Sequence, residues 1–165
     1  MNVKKLARLA LLTAIALIIF IVEMRIPNLV PIPGVKLGLA NIVTVYAMYH
    51  YSAKETSLIV LARILLGSIF GGNISAIIYS LSGAFLCLTG MIILRRIIDE
   101  KNIWICSVLG AVLHNIGQTA AAIVVMKTTA VLSYLPFLLV SGCIAGAFTG
   151  ICAQLLVRKS SNFDK

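Results

Sequence analysis

The chain has 165 residues, of which 61% are hydrophobic and only 12% charged, and its mean hydropathy is +1.06. A soluble domain carries about 25% charged residues and about 45–50% apolar ones, so a water-soluble fold, which could not hide this much apolar surface, is excluded. The formal net charge of +9 would suggest nucleic acid in a soluble protein, but here the basic residues sit at the ends of apolar runs, so the expected partner is the lipid bilayer and not nucleic acid.

The first predicted span is Leu6 to Val22. Lys4, Lys5 and Arg8 lend its start the look of a signal peptide, yet Glu23, Met24 and Arg25 stand where a small-residue cleavage site belongs. It is therefore kept as a transmembrane helix. Ala7, Ala10 and Ala14 form a smooth strip along it. Small residues let membrane helices approach closely, so the strip packs either within the bundle or against a partner membrane protein. Between Arg25 and Lys36, Pro27, Pro31, Pro33 and Gly34 rule out regular helix. This connection is expected to cap the outer face, with Lys36 on a rigid turn above the bundle.

Leu37 to Tyr51 and Thr56 to Phe70 are short second and third spans, joined by Ser52, Ala53, Lys54 and Glu55 as a helical hairpin. Arg63 lies inside the third, where a charge costs roughly 2.5–3.5 kcal/mol on insertion scales. It either rests on an ion pair or backbone carbonyls within the bundle, or offers its planar guanidinium to an anionic group of a ligand. Asn41 and Asn73 either complete such a site from the outer side or cap helices.

The fourth span, Ile74 to Leu94, carries Ser75, Ser82, Gly83, Cys87 and Gly90 on one face. In the fifth, Ile103 to Met126, His114 and Gln118 share a face with Gly110 and Ala121, and Asn115 lies about 100° around. Ligand contact and an interhelical hydrogen-bond network are the two readings of that cluster. The sixth, Leu132 to Val157, holds Gly142, Gly146 and Gly150 in two overlapping GxxxG steps, expected to pack helices. Cys87, Cys106, Cys143 and Cys152 show no paired spacing, so neither a metal site nor a redox motif is expected.

Basic residues partition cleanly over this map. Lys4, Lys5, Arg8, Lys54, Arg95 and Arg96, then Lys101, Arg158, Lys159 and Lys165, fall on one side; Arg25, Lys36 and Lys127 fall on the other. The richer side should be cytoplasmic. The expectation is one all-α domain over residues 1–165, a bundle of six transmembrane helices in the cell (inner, cytoplasmic) membrane with both termini in the cytoplasm. Lys36, Arg63, His114, Asn115 and Gln118, completed by Asn41 and Asn73, describe a cavity for a small ligand with at least one negative group.

The stretches PGVKLGLAN (Pro33 to Asn41), LARILLGS (Leu61 to Ser68), SLSGA (Ser80 to Ala84), HNIGQ (His114 to Gln118) and YLPFLLVSG (Tyr134 to Gly142) resemble the family called heptaprenyl diphosphate synthase component I, also labelled Gx transporter. That family is similar in turn to the substrate-binding S components of energy-coupling factor transporters. The resemblance implies a six-helix fold with an outer-loop lid. It also implies docking on a transmembrane coupling protein through an alanine-rich first helix, matched by Ala10 and Ala14, with two ATPase subunits completing the machine. Uptake of a vitamin or an isoprenoid or quinone precursor would follow.

The family name also raises prenyl diphosphate synthesis. That chemistry needs magnesium held by clustered carboxylates, and of Glu23, Glu55, Asp99, Glu100 and Asp164 only Asp99 and Glu100 adjoin. No P-loop is present either. Catalysis by this chain alone is not expected and no cofactor is called for. A non-catalytic accessory subunit of heptaprenyl diphosphate synthase stands as the alternative.

Overall fold

A computed structural model describes residues 2–25, 38–72 and 74–163, with side chains to residue 160. The described chain is all helical. Helix α1 spans Val3–Arg25, α2 Asn41–His50, α3 Ala53–Phe70, α4 Ala76–Leu94, α5 Ile103–Met126 and α6 Leu135–Phe163. Short 3-10 turns at Glu100–Asn102 and Ala130–Tyr134 lead into α5 and α6. Lipid cannot satisfy backbone polar groups, so every apolar run closes its own hydrogen bonds as a helix.

Four helical stretches are long and apolar enough to cross a membrane: α1, α4, and α5 and α6 with their leading turns. Large apolar side chains such as Phe85, Val124 and Ile144 are well exposed on them. A continuous apolar exterior of this kind belongs in lipid, and the protein is a multi-pass membrane protein.

The second predicted span is shorter than its hydropathy suggested. Gly38 adopts φ +68°, a left-handed conformation that glycine takes without strain, and the helix begins only at Asn41. With ten residues, α2 is ~15 Å long, about half of the ~30 Å hydrocarbon thickness. The predicted cap with Pro27, Pro31, Pro33, Gly34 and Lys36 lies outside the described residues.

The hairpin into α3 is tighter than expected, because Ser52 and Glu55 form a capping box. The Glu55 amide donates to Ser52 Oγ at 3.4 Å, and the Ser52 amide donates to Glu55 Oε2 at 3.0 Å. These reciprocal bonds start the helix at Ala53. Lys5 of α1 then pairs with Glu55 at 2.5 Å, tying the starts of α1 and α3 together. At the far end of α5, Lys127 turns left-handed with φ 51° and stops the helix.

Helices α4, α5 and α6 pack almost backbone to backbone. A Cβ on Gly117 would fall 2.7 Å from the Ser82 carbonyl oxygen and 3.0 Å from Gly83 Cα. Ser82 Oγ donates to the Gly117 carbonyl at 2.8 Å across the same contact. On the other face of α5, Gly146 and Gly150 of α6 would bring a Cβ within 2.9 Å of Val108 Cα and 2.6 Å of Trp104 Cα. Only hydrogen fits between these chains. The α1–α3 seam differs, with the Phe20 ring filling the space over Gly67 and Met24 that over Gly71.

Toward the ends of α2, α4 and α6 and the start of α5 the bundle is solid. Met48, Met91, Ile103, Cys106, Ala153 and Val157 form a continuous buried cluster with Val45. Arg95 at the end of α4 donates through Nη1 to the Met48 carbonyl at 2.6 Å, covering one of the carbonyls a helix leaves open in its last turn.

Candidate functional site

Above that cluster the bundle is hollow. A cavity of about 340 Å³ opens between the helices, and every one of the six contributes to its wall. Its floor is Val45 and Met91, shared with the apolar cluster.

Arg63 enters from the middle of α3. It is half-buried, and its Nη1 donates to Asn41 Oδ1 at 3.2 Å. Asn41, the first residue of α2, does not cap that helix; Ala40 holds the cap position and makes no side-chain bond. The Asn41 side chain instead faces the cavity and steadies the guanidinium. Among the described residues no carboxylate comes within ion-pair distance of Arg63.

Glu23 occupies the end of α1, only 8% exposed. Its Oε1 accepts the Gly38 amide at 2.5 Å, which joins the end of α1 to the approach to α2. One turn beyond Asn41, Thr44 is buried at the cavity wall, and its Oγ1 has no hydrogen-bond partner among the described residues.

The polar cluster of α5 lines the opposite wall. His114 and Gln118 lie over Gly83 of α4, where an added Cβ would meet His114 Cε1 at 2.9 Å and Gln118 Cγ at 2.7 Å. The absence of a side chain at Gly83 gives these two residues their room. Asn115 also borders the cavity, but its Nδ2 donates to the Leu138 carbonyl at 2.6 Å. That amide nitrogen is committed to holding α5 against α6, which leaves Gln118 as the amide of this helix without such a tie. Deeper in, Ser107 and Thr149 share a hydrogen bond of 3.2 Å between their hydroxyls.

Of the residues singled out from sequence, Asn41, Arg63, His114, Asn115 and Gln118 all line this one cavity. Lys36 and Asn73 lie outside the described residues. Glu23, which the sequence placed just past the first span, and Thr44, which drew no notice, belong to the wall as well. Thr44 was findable, since it follows Asn41 by three residues on the same helical face. Gly142, Gly146 and Gly150 face α5, while Ala7, Ala10 and Ala14 lie exposed on α1, whose buried residues are Leu9, Ala16 and Glu23. Among the described residues no three His, Cys, Asp or Glu side chains gather as a metal-binding group.

A cation and a carboxylate on an otherwise apolar wall, with hydroxyl, amide and imidazole groups around them, can orient a small polar molecule within a greasy enclosure. Comparison with family models matches residues 12–156 to the family described as heptaprenyl diphosphate synthase component I. Neither the curated proteins nor the solved structures contain a match.

Proposed function

The chain belongs to the heptaprenyl diphosphate synthase component I family, and from that premise we propose that it is the membrane-embedded substrate-binding subunit of an uptake system for a small molecule bearing at least one negative group. The observation that carries this reading is the cavity, walled by all six helices and centred on an Arg63 without a carboxylate partner among the described residues. An arginine retained only for structure would be expected to sit in an ion pair or on backbone carbonyls; this one is half-buried, bonds Asn41 and borders the cavity.

In this reading the chain crosses the cell membrane six times, the second crossing being made by the short α2 together with the residues that lead into it, and both termini are cytoplasmic, as the basic residues of the connections favour. Substrate enters from the outer side, where α1 ends and α2 begins, and the apolar cluster beneath blocks its passage. Release therefore needs a partner that reshapes the bundle. The exposed strip Ala7, Ala10 and Ala14 suits a transmembrane coupling protein, with ATPase subunits supplying the motor that this sequence lacks. A vitamin or a quinone precursor fits the role.

Purification in mild detergent, followed by identification of bound proteins, tests the assignment. Recovery of a membrane coupling protein with ATPase subunits is the expected outcome. The family's description favours a second reading, a non-catalytic accessory subunit of heptaprenyl diphosphate synthase, and recovery of a soluble prenyl transferase in place of the ATPases would establish it.

A further inference from the structure

Resting on that binding role, we propose that the molecule held in the cavity is a small zwitterion, electroneutral overall, with an amine-type donor end at Glu23 and an acid end at Arg63. Both side chains line the same cavity. Yet they do not pair, the only ion pair among the described residues being Lys5–Glu55. Among the described residues each side chain has one partner, which leaves most of its capacity open. Arg63 donates one bond, to Asn41, of the five N–H groups a guanidinium carries. Glu23 accepts one, from Gly38, where a carboxylate offers about four lone-pair sites.

An ionised group withdrawn from water and short of partners is costly, and in a low-dielectric enclosure charges act strongly over distance. A simple anion would satisfy Arg63 but bring a like charge toward Glu23. A simple cation would do the reverse, and a diphosphate would double the imbalance. Only a guest with both ends answers both walls. Thr44 adds a buried hydroxyl without a partner among the described residues, able to donate to the acid end or accept from the amine.

Volume limits the guest further. A cavity of about 340 Å³ stands at the small end of the ~300–1,000 Å³ range of ligand pockets. A short apolar body fits between Val45, Ile64 and Met91.

The test equilibrates purified wild-type protein, Glu23→Gln and Arg63→Gln with the small-molecule extract of the cells that produce the chain, and identifies retained compounds by mass spectrometry. Gel filtration and a thermal transition in the same detergent establish that each variant is folded. The expected compound is a small zwitterion, with retention falling about tenfold or more in each variant. A retained compound with no cationic or N–H donor end, or one that Glu23→Gln holds at the wild-type level, overturns the zwitterion and leaves the binding role standing. A wild-type protein that retains nothing overturns the binding role and the zwitterion with it. Where a variant aggregates, the wild-type protein is titrated with the identified zwitterion and its deaminated analogue, and equal affinity for the two overturns the inference.

Discussion

Helices α2, α4, α5 and α6 pass through two regions that are filled in opposite ways. Toward the end where α2 stops, Met48, Met91, Ile103, Cys106, Ala153 and Val157 interlock without a gap, and Arg95 closes over the Met48 carbonyl. Toward the end where α2 begins, the same helices part around a hollow edged by Asn41, Arg63, His114 and Gln118. Close glycine contacts occur at both levels, Gly117 against Ser82 and Gly83 beside the hollow and Gly150 against Trp104 next to Ile103, so tight glycine packing does not account for the difference. It comes from which side chains are long and apolar at one level and short or polar at the next. A plug and a vessel are thus stacked in a single bundle, and each can be damaged without the other.

The largest expected effect is on the plug. Ile103→Ala, at a fully buried position, should lower stability by about 2–5 kcal/mol, read as thermal unfolding in detergent, while ligand affinity per folded molecule stays unchanged. Arg63→Ala should do the converse. It should weaken ligand binding by about 2–4 kcal/mol, roughly 30- to 1000-fold by titration, and leave the protein inserted with a near-normal thermal transition. Undiminished binding would return Arg63 to a structural role.

Much of this division was legible beforehand, and what escaped has identifiable causes. Arg63 stood out because a charge in an apolar run is expensive, and His114 and Gln118 because helical spacing puts them on one face. The four long helices followed from hydropathy alone. The true start of α2 did not, because Leu37, Leu39 and Ala40 are as apolar as the helix they precede, and only the backbone at Gly38 reveals the turn. Glu23 was misjudged because a linear reading places it at the end of a span, whereas α1 and the approach to α2 enclose it. Helix α6 runs on past Val157 to Phe163, since Arg158 and Lys159 end an apolar run without ending a helix.

Gly117→Ala sharpens the comparison from a different side. Its Cβ would press on the α4 backbone at Ser82 and Gly83, the place over which His114 and Gln118 lie, so stability and ligand affinity should fall together, stability by about 1–3 kcal/mol. Ala10→Leu combined with Ala14→Leu should leave both regions intact, with stability changed by no more than about 0.5 kcal/mol, because these positions are exposed. Recovery of partner subunits on affinity purification should nevertheless fail, and intact complexes would remove the docking surface from the proposal. The smallest effect concerns pH. The Lys5 ammonium, aided by the Ser52 amide, holds the Glu55 carboxyl below the usual carboxylate range. The tie between α1 and α3 is therefore complete above that range and weakens only as pH falls through the lowered folded value. A thermal transition followed down in pH should show a slight acid decline that Lys5→Ala reduces, the bond from the Ser52 amide accounting for what remains.

The bond from the Gly38 amide to Glu23 has a mechanical consequence. The carboxylate that borders the hollow is also the peg on which the approach to α2 hangs. A guest drawing on that carboxylate pulls against a backbone amide just ahead of Asn41 and its hold on Arg63. Under the proposed function, the guest and the approach to α2 draw on the same carboxylate.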